Sequence, residues 1–427
     1  MIKNKTLKTY IGFSKNIQMM VISEALGALA FGIFFFLHAL YFNHIGLPTE
    51  EIGLIFSIGS FFSIIGFFMG PFIKVFGRKN ILATGSLLIA IGIIICAFTS
   101  NFYFLLFSQI CINTGNTFIQ VTELQLLYSY TTEEKECCAY SYKFSVNFIA
   151  TAIGTLIGGN LNKIGVFKNL GYVHFFIISA GLLIITFFMR WFLLPKDEKE
   201  KHDEKAMRKS IGNAVKFLKE DKNVRIFAIF LFLMSLGFGA VGPFNNLVLQ
   251  KYFSYENSTI SIFVFISTVF SMIGLLVMPM IAEKISRNAF DGTLFLIAIA
   301  TCFILVLPLN RFSFATVLLI RNIFTLLIVS SIDEAMMSHM ELEFRDVFAG
   351  LKLLVNGLSM ALGNFIGGFI LNTFGYRVNY FYGGFILTIL IVLFYFKLKV
   401  FFVNKKYVKK CSCPMNRHHV PIRRQQN

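Results

Sequence analysis

Acidic side chains stand inside stretches of this sequence that are otherwise apolar. Glu24, Glu123, Asp333 and Glu334 each lie within a long apolar run. An isolated charge in hydrocarbon costs roughly 2.5–3.5 kcal/mol, so a carboxyl there must be paired, hydrated or neutral. A carboxyl that changes between these states can carry a proton. We therefore interpret Glu24, Glu123 and Asp333 as candidate proton-coupling or cation-binding residues, and the alternative for each is a fixed ion pair.

Two lysines supply the partners for such ion pairs. Lys143 follows Glu123 by 20 residues (143 − 123 = 20), and Lys352 follows Asp333 by 19 (352 − 333 = 19). Antiparallel helices joined by a short loop would bring each pair to a similar depth. The spacing predicts the pairs Glu123–Lys143 and Asp333 (or Glu334)–Lys352, each either a permanent brace or a gate that opens during a conformational change.

A row of polar residues leads up to the second of these acids. Gln109, Asn113, Asn116, Gln120 and Glu123 follow one another at spacings of 4, 3, 4 and 3, which places them on one face of a helix. Amides in hydrocarbon need partners or water. The row predicts a helix face that lines a hydrated cavity, and the alternative is that these amides join helices to one another.

Further polar residues interrupt the apolar runs of the second half. Arg321 is predicted to lie in the cavity, where it either binds an anionic group or neutralises one of the acids. Pro243 predicts a kink, and Asn245 and Asn246 beside it predict hydrogen bonds between helices.

Composition identifies a membrane protein. Of 427 residues, 56% are hydrophobic and only 14% are charged, whereas soluble domains carry about 25% charged residues. We predict an all-α protein that crosses the lipid bilayer twelve times, through helices α1 to α12 at 17–42, 52–72, 80–99, 102–127, 140–161, 171–194, 226–249, 257–282, 292–309, 313–336, 348–373 and 378–402.

The net charge of +17 is an orientation signal and predicts no nucleic-acid partner. Most Lys and Arg fall in segments on one side of the predicted membrane, which predicts that this side and both termini are cytoplasmic. We expect the protein to lie in the plasma membrane. The opposite loops hold only Lys163, Lys168, Lys251, Arg311 and Arg377.

The chain is an internal repeat. The pattern around Lys143 and Asn147 recurs 209 residues later around Lys352 and Asn356 (352 − 143 = 209). A parallel repeat of this kind predicts two pseudo-symmetric halves with a substrate site between them. The predicted divisions are a six-helix half at 1–194, a cytoplasmic linker at 195–225, a second six-helix half at 226–402 and a basic cytoplasmic tail at 403–427.

The loop between α2 and α3 carries a recognisable motif. It reads Gly70-Pro-Phe-Ile-Lys74-Val-Phe-Gly77-Arg78-Lys79 and resembles the signature Gly-x3-Asp-Arg/Lys-x-Gly-Arg-Lys of the major facilitator superfamily, with Lys74 in place of Asp. The resemblance implies the twelve-helix fold of that family. In the family the Asp helps to latch the halves together, so the resemblance does not extend to a normal latch.

Helices α5 and α11 resemble the exporter motif of the same family, Gly-x3-Gly-Pro-x2-Gly-Gly. The matching small residues are predicted to pack helices closely. They are Gly154, Gly158 and Gly159 in α5, and Gly363, Gly367 and Gly368 in α11.

Catalytic and cofactor motifs are not evident. The sequence has no Walker loop and no nucleophile–base motif, so we expect neither an enzyme nor a cofactor. Cys411, Cys413, His418 and His419 in the tail have a hint of metal-ligand spacing, but we expect no metal site there.

These observations together predict a secondary active transporter that works by alternating access as a monomer. We expect proton-coupled efflux of a small amphipathic or cationic compound. The alternatives are a proton-coupled importer and a membrane sensor or scaffold that transports nothing.

Overall fold

The computed structural model describes residues 13–132, 135–160, 163, 170–195, 222–282, 287–339 and 345–398. Most of the predicted linker and all of the predicted tail lie outside these residues.

Twelve helical segments follow one another along the described chain, in the order predicted. Two are interrupted: α2 by a 3-10 turn at Ser63–Phe68, and α7 by a 3-10 turn at Gly242–Phe244. The bounds are α1 Lys15–His44, α2 Thr49–Phe62 and Met69–Phe76, α3 Arg78–Phe98, α4 Phe102–Ser129, α5 Glu136–Asn160, α6 Tyr172–Leu193, α7 Lys222–Val241 and Asn245–Phe253, α8 Asn257–Ala282, α9 Arg287–Ile304, α10 Arg311–His339, α11 Arg345–Thr373 and α12 Tyr376–Leu393.

The helices have the character of membrane spans. Within the described chain, nine helices (α1, α2, α3, α6, α7, α8, α10, α11 and α12) are long and apolar enough to cross a bilayer. The remaining three are α9, which is short, and α4 and α5, which carry many polar residues. Large apolar side chains cover the outside of the bundle, as contact with lipid requires; exposed examples are Phe98, Phe104, Phe192, Phe312 and Phe396.

Helix ends follow from local sequence. The Ser14 hydroxyl accepts a hydrogen bond from Ile17 N at 3.4 Å and caps α1, while the Asn101 side chain caps α4 in the same way. Gly77 has φ +80°, a conformation that favours glycine, and it turns the chain sharply between α2 and α3. The glycine of the loop motif therefore has a structural role.

The interruption of α7 agrees with the predicted kink. Pro243 lies within the 3-10 turn, where its missing N–H costs least. Asn245 and Asn246 begin the next helical piece, and both donate hydrogen bonds to other helices: Asn245 to Asn322 Oδ1 at 3.2 Å and Asn246 to Phe36 O at 3.2 Å. The predicted inter-helix bonds are thus confirmed.

Contacts define two ends of the bundle. At the near end, Ser14 of α1 and Pro195 beyond α6 both contact Tyr130, which follows α4. At the far end, the last residues of α1, α5 and α7 meet the first residues of α2, α6 and α8. The two ends follow from the up-and-down course of successive helices.

Glycines hold each half together in the same way. A Cβ on Gly154 of α5 would collide with α1 backbone and one on Gly158 would be in tight contact with it, while a Cβ on Gly363 or Gly367 of α11 would collide with α7 backbone. Each pair therefore lets two helices approach more closely than larger residues allow.

The last glycine of each motif packs against the opposite half. Gly159 lies against Ser261 of α8, and Gly368 lies against Gly53 of α2. Asn160 also donates to Ser261 Oγ at 2.9 Å. We call Gly53, Gly159, Ser261 and Gly368 the far-end lock, because these four residues hold the two halves together there.

The halves meet along two seams, α2 with α11 and α5 with α8, and the two seams differ in how far their contacts extend. Contacts between α2 and α11 continue from the far-end lock to Gly66 with Leu353 and Phe67 with Gly350. Along the other seam, α5 and α8 meet at Gly159, and Phe148 of α5 and Ser271 of α8 both line a cavity.

We predict that Gly368→Ala opens the far end. The new Cβ would lie 2.7 Å from Gly53 Cα and 2.9 Å from Thr49 O, and backbone cannot rotate away. Overpacking of this kind costs about 1–3 kcal/mol. Electron paramagnetic resonance between spin labels at exposed His44 and Asn372, one in each half, should show a larger population of long distances.

Gly181→Ala is the matched control, because a Cβ there has no heavy atom within 4 Å. It should leave the distance distribution unchanged. An unchanged distribution in Gly368→Ala as well would show that the glycine contact does not hold the far end closed.

Acid should loosen a second contact at the far end. Lys163 Nζ donates to Glu256 Oε2 at 2.8 Å, and this hydrogen bond and the lysine charge lower the pKa of the Glu256 carboxyl. The bridge therefore favours the closed far end above the ordinary carboxyl pKa, and its contribution disappears as the pH falls through the lowered value. Both side chains are exposed, so the effect should be small and should weaken with salt.

The same spin-label pair measures this dependence. The long-distance population should rise slightly on acidification below the carboxyl range. In Glu256→Gln the long-distance population should not change on acidification. An identical acid response in the variant would assign the response to other groups.

Candidate functional site

Four buried charges from four helices meet inside the first half. Arg190 Nη2 of α6 lies 2.7 Å from Glu24 Oε2 of α1, and Lys143 Nζ of α5 lies 2.6 Å from Glu123 Oε2 of α4. Lys143 Nζ also lies 3.5 Å from Glu24 Oε1, so one ammonium group contacts both carboxylates. We call Glu24, Glu123, Lys143 and Arg190 the charge cluster.

Neutral side chains complete the surroundings of the charge cluster. Arg190 donates to Ser86 Oγ of α3 at 2.9 Å and to Ser23 Oγ of α1 at 3.5 Å. Asn147 of α5, one turn after Lys143, donates to Glu24 Oε1. Two positive and two negative charges cancel, which allows the charge cluster to be buried.

The two acids are not equally satisfied. Glu24 accepts hydrogen bonds from Asn147 and Arg190 and contacts Lys143. Glu123 Oε1 is buried without a hydrogen-bond partner and lies 3.9 Å from Arg190 Nη2. One carboxylate oxygen of Glu123 thus has no hydrogen-bond donor inside the charge cluster.

The second half has a simpler counterpart. Lys352 Nζ lies 2.6 Å from Asp333 Oδ2, so both predicted pairings occur in space. The side chain of Glu334 lies outside what the structure describes. Whether either pair is a permanent brace or a gate stays a prediction.

An aromatic pair replaces the arginine in the second half. Aligning α6 and α12 by their first residues places Phe394 opposite Arg190. Phe394 packs on Phe295, at 5.8 Å between ring centroids, and Phe295 is the repeat equivalent of Ser86 (295 − 86 = 209). Within the described residues the four-charge arrangement occurs in the first half, and the matching place in the second half holds the pair Asp333–Lys352.

A cavity of about 340 Å³ lies between the halves. Helices α7, α8 and α10 supply most of its wall, and Phe148 of α5 faces them. The lining includes Phe238, Asn245, Ser267, Thr268, Ser271, Arg321, Asn322, Thr325, Leu326 and Val329. Its size is at the lower end of the range for small-molecule sites.

Arg321, the predicted cavity residue of α10, lines this cavity. Its Nε contacts Cys302 Sγ at 3.2 Å, and its Nη1 donates to Asn322 Oδ1 at 3.4 Å. The side chain of Asn245 connects Asn322 to Tyr380, whose hydroxyl donates to Asn245 Oδ1 at 2.9 Å. A polar chain thus positions the guanidinium at the wall.

The polar residues of α4 do not share one environment, although the sequence predicts that they line one cavity. Gln109 is buried, and its amide nitrogen donates to His38 Nε2 at 2.7 Å. Asn113 donates to the Gln109 carbonyl and packs over Gly59 of α2. Gln109 therefore joins α4 to α1, as the alternative interpretation has it, whereas the hydrogen bond of Asn113 stays within α4 and its side chain packs against α2.

None of the four α4 amides is part of the described cavity lining. Asn116 is half-buried and Gln120 is exposed. Substrate contact by Gln109, Asn113, Asn116 and Gln120 stays a prediction.

The loop motif has one described side-chain contact of note. Arg78 donates to Gln125 Oε1 of α4 at 3.2 Å, which joins the start of α3 to α4 near the charge cluster end of the helix. Gly70 lies in the short helix Met69–Phe76, and Lys79 lies in the first turn of α3. A latching role for this loop stays a prediction.

Arg190 is the residue that sequence reasoning missed. It lies inside the predicted apolar span 171–194, but close to the end, where arginine usually reaches the membrane surface. A charge within a predicted span was the available signal. The predicted tail residues Cys411, Cys413, His418 and His419 lie outside the described residues, and within the described residues no three potential ligands are grouped to hold a metal ion.

Comparison with known proteins identifies the family. The sequence profile of the Major Facilitator Superfamily matches residues 20–352. The chain belongs to this superfamily of membrane transporters, and it is a multi-pass membrane protein. No curated protein sequence matches the chain.

Solved structures with the same fold include two transporters. The nucleoside transporter NupG matches with a TM-score of 0.70 and 14% identity, over 90% of this chain and 100% of that chain. A bacterial homologue of the human lysosomal transporter Spinster, in an inward-facing and unoccupied conformation, matches with a TM-score of 0.72 and 14% identity, over 91% of this chain and 98% of that chain. At this identity the similarity establishes the fold alone.

We predict strong energetic coupling inside the charge cluster. Arg190→Gln leaves Glu24 as a buried carboxylate without its closest charged partner, and losses of this kind cost about 3–5 kcal/mol. Glu24→Gln should also destabilise the protein. The double variant should lose less than the sum of the two single variants, as measured by thermal unfolding in detergent.

Asp333→Asn is the comparison, because its ion pair with Lys352 is less buried. It should cost about 1 kcal/mol or less. Additive losses for Glu24 and Arg190 would contradict a coupled cluster.

Proposed function

We propose that this protein is a proton-coupled secondary transporter that exports a small amphipathic compound by alternating access. The observation that carries this proposal is the contact of one lysine, Lys143, with two buried carboxylates, those of Glu24 and Glu123. A site with two acids and one shared cation can take up a proton on one acid while the other keeps the cation.

Glu123 is the acid that we assign to the proton. Its Oε1 has no hydrogen-bond partner, so a proton can be added there without displacing a donor. Protonation removes the charge that Lys143 balances and weakens the 2.6 Å ion pair between α4 and α5. Lys143 then retains Glu24 as its remaining carboxylate.

Helix α5 connects the proton site to the cargo site. It carries Lys143 and Asn147 of the charge cluster and its surroundings, then Phe148 at the cavity, and then Gly159 at the far-end lock. A shift of α5 after protonation of Glu123 therefore acts on the cavity and on the contact between halves together. This arrangement supports coupling between protons and cargo.

Export is the direction that we favour. The basic near end of the chain predicts that both termini are cytoplasmic, and the exporter-like glycines of α5 and α11 pack closely against neighbouring helices. Proton entry down its gradient provides about 2.3 kcal/mol per charge for each 100 mV. A proton-coupled importer and a non-transporting sensor or scaffold remain the alternatives, and we place the monomer in the plasma membrane.

The described cavity favours an amphipathic cargo over a purely cationic one. Its wall combines apolar side chains, such as Phe238 and Val329, with Arg321, and the described lining contains no carboxylate. The structural neighbours give a further candidate class, because one of them is a nucleoside transporter.

We predict that Glu123→Gln abolishes pH-driven flux. The amide cannot exchange the proton, but it keeps the shape of the side chain. In proteoliposomes with an imposed pH gradient, a panel of amphipathic anions, cations and nucleosides should include a compound that the parent moves against its own gradient. The variant should not do so, while exchange of that compound at equal pH persists.

Glu51→Gln in the first turn of α2 is the matched control and should retain pH-driven flux. Asp333→Asn tests whether coupling extends to the second half. Absence of pH-linked flux in the parent for every compound would refute proton-coupled transport. Unchanged flux in Glu123→Gln would leave transport in place and remove Glu123 from the coupling step.

A further inference from the structure

The guanidinium of Arg321 lies at the cavity wall without a carboxylate. Arg321 is only 2% exposed, yet within the described residues no Asp or Glu oxygen lies within 4.0 Å of it. Arg190, equally buried in the first half, has Glu24 at 2.7 Å. A buried guanidinium charge needs an opposite charge or hydrogen-bond acceptors near it, and Arg321 lacks the carboxylate that Arg190 has.

The neutral contacts of Arg321 compensate for little of this charge. One is to a sulfur atom, Cys302 Sγ, which is a weak acceptor, and one is a long bond of 3.4 Å to Asn322 Oδ1. Its Nη2 makes no hydrogen bond within the described structure. Tyr380, with its ring 5.7 Å from the guanidinium carbon, adds a weak cation–π contact.

A second unsatisfied polar atom lies one helical turn away. Thr325 lines the same cavity, and its Oγ1 is buried without a hydrogen-bond partner. Other threonines in the helices, such as Thr117 and Thr268, donate to the carbonyl four residues earlier. Thr325 does not make this hydrogen bond. Its side chain lies on the same face of α10 as that of Arg321.

Hydroxyl groups from α8 also line the cavity. Ser267 and Ser271 are buried, stand four residues apart on one face of α8, and make no side-chain hydrogen bond in the described structure. A guanidinium together with several free hydroxyl groups is the donor set that binds oxyanions such as carboxylate or phosphate. Apolar residues, such as Phe148 and Leu326, cover the rest of the wall.

We infer that Arg321 and Thr325 form an oxyanion-binding site, and that the cargo is a small organic anion with an apolar body and a carboxylate or phosphate group. This inference rests on the proposed transport function for its role, but the site itself can be tested by binding alone. A cavity of about 340 Å³ limits the cargo to a small molecule.

Equilibrium binding to the full-length protein in detergent provides the test. The probes are benzoate and phenyl phosphate as anions, benzylammonium as the cation and benzyl alcohol as the neutral compound, each followed by isothermal titration calorimetry. The parent should bind at least one anion at least about tenfold more tightly than the cation or the alcohol. Benzoate and phenyl phosphate distinguish the two oxyanions.

Three variants locate the site. Arg321→Gln should remove the preference for the anion, and Arg321→Lys should keep the preference with weaker binding, because lysine lacks the planar fork. Thr325→Val should weaken anion binding severalfold without lowering the melting temperature, because its hydroxyl has no partner to lose. Arg377→Gln, an exposed arginine of α12, is the control and should bind as the parent does.

Several results would overturn the inference. They are the absence of binding by both anions, a preference for benzylammonium, or parental anion binding in Arg321→Gln and in Thr325→Val. Its failure is distinct from failure of the proposed function. Anion binding by a protein without pH-linked flux would refute the coupling alone, and pH-linked flux of a cation alone would refute the anion site alone.

Discussion

The need to bury charge inside a lipid bilayer determines how the first half of this protein is organised. Two carboxylates and two basic groups satisfy one another across α1, α4, α5 and α6, and removal of any one would leave a desolvated charge. The helices that carry them are fixed in register by this requirement. At the matching place the described second half has the Asp333–Lys352 pair, and its Phe394 packs on Phe295 by apolar contact.

The two halves differ in the groups that they contribute to proton binding and to cargo binding. The first half holds the groups that can exchange a proton, and the second half supplies most of the cavity wall, including Arg321 and Thr325. Helix α5 of the first half crosses from one region to the other. Coupling between protons and cargo then requires one helix to move and needs no chain of side chains between the two sites.

Much of the fold was predictable because its causes are local in the sequence. The length of the apolar runs predicted the spans, Pro243 predicted the interruption of α7, and the spacing across a short loop predicted the Glu123–Lys143 pair. Arg190 was not predictable in this way, since its contact with Glu24 depends on which face α6 turns toward α1. The amide of Gln109 belongs to the same class, because its partner His38 comes from another helix.

The far-end lock has a consequence for how sharply the protein changes state. Gly159 and Gly368 join the halves through close backbone contact. Dispersion forces fall steeply with distance, and a gap of 0.5–1 Å already forfeits about a quarter to a half of the attraction. A separation of that size at these glycines therefore releases a large share of their attraction at once. The far end should then behave as a switch with a threshold, in which intermediate openings are short-lived.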